Sequence, residues 1–194
     1  MPIPTLGEAI PARGNGFSRG LGKAVLKIMG WDIEGELPNL PKFVVIGAPH
    51  TSNWDFVLAI AVLLALGLDA RWLGKDTIFR PPFGPLMRWL GGIPVDRSAR
   101  HGVVDQTIAA FAQRDRFVVG VAPEGTRKRV ERWKTGFYHV AKGAGVPIVP
   151  AYFDYPRKAL GFGPPFDLSG DPEADMLRIR AFYTPFEGKK PDQF

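Results

Sequence analysis

Short apolar runs alternate with helix-patterned segments along most of this chain, and that alternation limits its fold more than any other feature. Residues 43–47, 70–73, 93–95, 117–121 and 147–153 read as strands. Between them, a segment from Asn53 or Asp55 to about Leu66, then residues 86–90, 103–113 and 135–142, read as helices. Strands separated by helices need crossover connections, and crossovers make neighbouring strands parallel. The expected fold class is α/β, a single domain with a mostly parallel central sheet flanked by helices. A chain of 194 residues is long enough to bury one such core. Residues 31–34 add a short strand, 75–78 a loop or turn, 81–85 a proline-rich break, and 172–180 a final helix. In sheets of this kind ligands bind beyond the carboxyl ends of the strands.

His50 lies at one such end, five residues before Asp55. A carboxylate that accepts a hydrogen bond from one imidazole nitrogen leaves the other free to take a proton from a hydroxyl. Taken alone, the pair reads equally as a loop histidine beside a helix-capping Asn53 or Asp55. It is followed, however, by Gly92-Ile93-Pro94-Val95-Asp96-Arg97, Pro123-Glu124-Gly125-Thr126-Arg127 and Val146-Pro147-Ile148-Val149-Pro150. The Arg97 guanidinium has the fork geometry that suits a phosphate monoester; the plainer reading is a surface pair with Asp96. Gly125 lets backbone approach a ligand, Thr126 adds a hydroxyl, and Glu124 can orient an acceptor or the loop. Lys128, Arg129 and Arg132 extend the positive charge, either toward phosphates or as a solvated face. Lys75 is a further candidate phosphate contact.

Cysteine is absent, which removes disulfides, thiolate metal sites and a cysteine nucleophile, and fits a reducing compartment. The three histidines, at 50, 101 and 139, fall at no usual metal spacing, so no metal is expected. The net charge of +6 favours phosphate-bearing partners, whether nucleic acid, anionic lipid or a phosphorylated small substrate. With no zinc-finger spacing and no aromatic RNA-binding motif, no nucleic-acid partner is expected. The opening residues Met1-Pro2-Ile3-Pro4 lack the pattern of a secretory signal. The longest apolar run, residues 56–68, is shorter than a membrane span and reads as a buried core helix.

Two further patterns bear on surfaces. In residues 17–29, Phe17, Leu21, Ala24, Val25 and Ile28 share one helical face, with Arg19, Lys23 and Lys27 opposite. This is either a surface helix packed on the core or an element lying on an anionic bilayer. Gly20 and Gly22 weaken its helix propensity. Residues 1–30 are therefore set apart as an N-terminal segment, with the main domain over 31–194. Phe79, Phe83, Leu86, Met87, Trp89 and Leu90 line either an acyl groove or ordinary core.

The ordered motifs resemble those of the glycerophospholipid acyltransferases, the 1-acylglycerol-3-phosphate acyltransferase superfamily. The likeness runs from about Trp31 to Tyr155. His50, Ser52 and Asp55 match an H-x-S-x-x-D block. Gly91 or Gly92, Ile93 and Arg97 match a second block, Pro123 to Arg127 a third, and Val146, Pro147, Ile148 and Pro150 a fourth. The resemblance implies a glycerol-3-phosphate acyltransferase-like fold, with His50 as general base and Asp55 as its orienting partner. It places the acceptor's phosphate on Arg97 and the Glu124–Arg127 loop. It implies acyl transfer from an acyl-CoA or acyl-carrier-protein thioester to a lysophospholipid, with no cofactor and no covalent intermediate. An acyl-enzyme on Ser52 is the alternative route. The implied location is cytoplasmic, peripheral on the inner face of the cell membrane. Ala122, Lys128 and Pro49 depart from the family's usual phenylalanine, serine and asparagine. They leave open an acceptor other than a glycerophosphate (an aminolipid, a polyketide-like alcohol or an amine) and, further off, a non-catalytic lipid-binding protein.

Overall fold

Seven strands form one sheet in the order β1-β7-β6-β2-β5-β3-β4, all neighbours parallel except β6 and β7. The computed structural model describes residues 3–95 and 100–194. The strands are β1 (Asp32–Glu34), β2 (Lys42–Ala48), β3 (Ala70–Lys75), β4 (Gly92–Val95), β5 (Phe117–Val121), β6 (Ile148–Asp154) and β7 (Ala159–Phe162). The helices are α1 (Gly16–Met29), α2 (Trp54–Leu66), α3 (Gly84–Trp89), α4 (Arg100–Ala112), α5 (Gly136–Ala144) and α6 (Pro172–Tyr183).

The central strands β2, β5 and β6 are apolar because both faces of the sheet are covered. On one side Phe43, Val118, Val149 and Phe153 pack with α1 and α2 through Leu26, Leu58, Val62 and Leu66. On the other, Val44, Ile46, Val119 and Ile148 pack with α4, α5 and α6 through Phe111, Phe137, Tyr138, Ile179 and Tyr183. The 13-residue apolar helix α2 is thus a core helix. Among the described residues no helix is long and apolar enough to cross a membrane. β4 is an edge strand, which is why it tolerates Pro94, whose nitrogen donates to no ladder.

Several elements differ from the sequence-based expectation. β7 is additional: it returns antiparallel on β6 after a tight turn at 155–158, and it places β1 in the sheet. Residues 76–79 form a 3-10 turn, so Lys75 ends β3 instead of standing in a loop. The candidate groove set divides. Phe79 and Leu90 are buried, whereas Phe83, Leu86 and Trp89 are exposed at a three-residue spacing that puts them on one face.

The largest difference is the seating of α1. Of the face formed by Phe17, Leu21, Ala24, Val25 and Ile28, only Val25 touches the core; Phe17 is 80% and Ile28 85% exposed. The helix packs instead through Gly22 and Leu26. A Cβ on Gly22 would stand 2.4 Å from the backbone N of Ala65 and 2.5 Å from the carbonyl O of Ala61. The glycine that weakens the helix is what lets α1 lie directly on the α2 backbone. An Asn15–Ser18 capping box and a left-handed Gly30 fix its two ends. Ile10 joins the same core and Ala12 bridges to Leu68, so residues 3–30 share the main core.

Candidate active site

Parallel pairing in register brings the motifs together. Ile46 of β2 lies opposite Val121 of β5, and Ala48 opposite Tyr152 of β6. The three chains therefore leave the sheet side by side at their carboxyl ends, carrying His50, Glu124 and Tyr155. Lys75 ends β3, the next strand beyond β5, at the same edge.

Asp55 sits in the first turn of α2 and is 1% exposed. Its Oδ2 accepts the backbone N–H groups of Thr51 (2.9 Å) and Ser52 (2.8 Å), which folds the 50–53 loop back over the helix start. The same oxygen lies 3.1 Å from Nδ1 of His50. The imidazole is partly exposed, and among the described residues no group bonds its Nε2. The Ser52 hydroxyl is buried and accepts the N–H of Trp54 at 3.2 Å, so it serves the helix start.

Glu124 is 3% exposed, and both its carboxylate oxygens accept the backbone N–H of His50, at 3.0 and 2.9 Å. Of the two expectations for Glu124, orienting an acceptor or a loop, the contacts seen are with a loop: its carboxylate is turned onto the backbone of the histidine loop. Burial pushes its pKa up to about 7, against the opposing pull of the His50 N–H and the His50 side chain. The Pro123–Arg127 turn closes through Gly125 N–H to Ala122 O, with Gly125 at φ +66°. Thr126 Oγ1 accepts the N–H of Lys128. Arg127, Lys128, Arg129 and Arg132 are exposed around this turn. Arg97 lies outside the described residues.

Three contributors escaped sequence reasoning. Lys134 lays its side chain across Gly125, where a Cβ would meet its Cδ and Cε at 2.7 Å and its Nζ at 2.8 Å. The segment 186–190 straps the site: Lys190 N–H donates to Thr51 Oγ1, and Lys189 Nζ stands 5.0 Å from the centre of the Trp54 ring. Gly188 is so close to Thr51 and Pro49 that a Cβ would stand 2.7 Å from Thr51 Oγ1. Finally, Tyr155 donates its hydroxyl to Asp55 Oδ1 at 2.5 Å. None of these follows a sequence spacing; each depends on the β5, β6 and α6 connections reaching one edge.

A partly exposed imidazole backed by a buried carboxylate, with a cationic loop beside it, is suited to moving a proton near an anionic ligand. Among the described residues no cluster of His, Cys, Asp and Glu is arranged to hold a metal ion.

The chain is similar to known proteins in sequence and in fold. The chain is 34% identical over 110 residues to the 1-acyl-sn-glycerol-3-phosphate acyltransferase of Escherichia coli (strain K12), covering 53% of this chain and 43% of that protein. It is 30% identical over 134 residues to the protein of the same name from Haemophilus influenzae, covering 63% and 54%. The chain spans about half the length of the curated relatives it matches. The crystal structure of the 1-acyl-sn-glycerophosphate (LPA) acyltransferase PlsC from Thermotoga maritima superposes with a TM-score of 0.60 at 22% identity, over 86% of this chain and 74% of that one. At that identity the likeness is one of fold. The Acyltransferase family model matches residues 33–154, more than half of the sequence, and the chain belongs to that family.

Proposed function

We propose that this protein transfers a fatty acyl group from a thioester, acyl-CoA or acyl-carrier protein, to the free hydroxyl of a lysophospholipid such as 1-acylglycerol-3-phosphate. The observation that carries this reading is the His50–Asp55 pair, 3.1 Å apart at the carboxyl edge of the sheet. Asp55 favours the proton on Nδ1 and leaves Nε2 to accept one. The acceptor hydroxyl gives its proton to Nε2 as its oxygen attacks the thioester carbonyl. The C–S bond then breaks, and the proton passes to the departing thiolate. The Gly125 N–H is already used within its turn, so the cationic side chains of the 123–134 loop, Lys134 among them, are the better source of oxyanion stabilisation. The Ser52 hydroxyl is engaged at the helix start, which favours direct attack over an acyl-serine route. Arg97, Arg127 and Lys75 are the proposed partners of the acceptor phosphate. No cofactor is invoked.

The acceptor and product are membrane lipids in this reading, and the protein works as a peripheral enzyme on the cytoplasmic side of the membrane. The outward apolar side chains Phe17, Leu21 and Ile28 of α1, on a helix whose Lys23 and Lys27 are also exposed, support a contact with an anionic bilayer.

The test is thiol release from a panel of acyl-CoA donors with lysophosphatidic acid, using wild type and His50→Ala in parallel. Acceptor-dependent release that vanishes in the variant is expected. Release supported by an amine or a phosphate-free alcohol, and not by lysophosphatidic acid, would move the acceptor to another class. Complete inactivity with every CoA and carrier-protein donor would overturn the enzymatic reading.

A further inference from the structure

Tyr155 is the first residue after β6 and lies one position beyond the stretch that matches the family model. The two oxygens of Asp55 have different surroundings. Oδ2 collects the Thr51 and Ser52 N–H groups and faces His50 Nδ1. Oδ1 takes the Tyr155 hydroxyl at 2.5 Å, and among the described residues nothing else bonds it. The tyrosine is itself held from three sides. Its ring meets Trp31 edge-on, with centroids 4.8 Å apart and an interplanar angle of 82°. Its N–H donates to Glu187 O at 2.9 Å, and its carbonyl accepts the N–H of Lys158. Burial and the neighbouring Asp55 raise the phenol far above its ordinary range, so it stays a donor at every working pH.

We propose that Tyr155 is a positioning residue for acyl transfer: its hydroxyl fixes the rotation of the Asp55 carboxylate and withdraws charge from it, setting how strongly Asp55 holds a proton on His50. This rests on the proposed role of His50 as base. A buried carboxylate with one oxygen unbonded is free to turn about its last torsion and bears the full cost of an unsatisfied anionic atom. With the hydroxyl gone, more negative charge faces the imidazole and the protonated ring is favoured. Other charged groups near the pair are Glu124, which holds the His50 N–H from the β5 side, and Lys189 of the strap, whose Nζ stands over the Trp54 ring. Neither of these contacts Asp55 Oδ1.

Tyr155→Phe keeps the ring against Trp31 and removes only the hydroxyl. The expected result is a drop in kcat of roughly tenfold, within the range for one hydrogen bond to a charged group. KM for donor and acceptor should be unchanged, and the acid limb of the kcat/KM profile should move to higher pH. In parallel, the NMR titration of the His50 ring, identified by its absence from His50→Ala spectra, should move in the same direction. An unmoved acid limb and an unmoved ring titration would overturn the proposal, even if activity fell along with thermal stability. If wild type releases no thiol, the acyltransferase reading fails, but the ring titration in the two proteins still decides whether Tyr155 governs the pair.

Discussion

Glu124 shows how much one carboxylate at the sheet edge controls. It closes the gap between adjacent parallel strands by accepting the His50 N–H twice, and it does so at 3% exposure. Its folded pKa is raised to about 7, so the folded state binds a proton that the unfolded chain releases near 4.5. The stability linked to that proton is complete below the unfolded value and is lost as pH rises through about 7. Glu124→Gln removes the titration. Its melting temperature should therefore rise relative to wild type between pH 5 and pH 8, a differential of about 2–3 kcal/mol at most. Measured melting curves that run parallel across that range would refute this. Its thiol-release activity should nonetheless fall, because one amide oxygen replaces two carboxylate oxygens in holding the histidine loop. The sequence marks Glu124 through its motif and leaves open whether it orients an acceptor or a loop; the contact with His50 spans 74 positions and exists only once β2 and β5 pair.

At the scale of elements, the legible parts were those with a strong local period. β5 is a run of small and apolar residues that matches its observed bounds, and the core strand ending in Ala48 is short by only its edges. β7 escaped notice because Ala159–Phe162 is four residues long, contains a glycine and carries no alternation. The α1 helix was legible as a helix, but its orientation was not. Its apolar arc is wider than its contact, and the seating is chosen by the absence of a side chain at Gly22. This gives a prediction opposite to helix propensity. Gly22→Ala should gain roughly 1 kcal/mol from propensity alone. Instead the added Cβ meets α2 backbone at 2.4 Å, so Gly22→Val should destabilise by about 1–3 kcal/mol as α1 is pushed off α2. A Gly20→Ala control has open space around it and should be neutral or stabilising. Equal denaturation midpoints for Gly22→Val and wild type would show that the helix pair does not need close contact.

At the scale of the whole molecule, the site and the exposed apolar groups are joined by packing rather than by sequence. Trp31 follows α1 after a single glycine and abuts Tyr155, which holds Asp55. In the proposed reaction a lipid acceptor leaves its bilayer to reach His50, and the surface contact proposed for that step uses the outward apolar residues of α1. Burying one such side chain in the interface is worth about 1.5–3 kcal/mol, and each nearby lysine about 1 kcal/mol on an anionic surface. Phe17→Ser combined with Ile28→Ser should therefore cut association with anionic vesicles by at least roughly tenfold, by sedimentation, and leave the melting temperature unchanged because both side chains already face outward. Lys23→Gln with Lys27→Gln should weaken the same association mainly at low salt, where screening is least. Activity on an acceptor dispersed without vesicles should survive the serine changes, since neither residue touches the His50 loop. Unchanged vesicle binding in both double variants would remove α1 from the contact and shift it to the exposed Phe83, Leu86 and Trp89 of the α3 region.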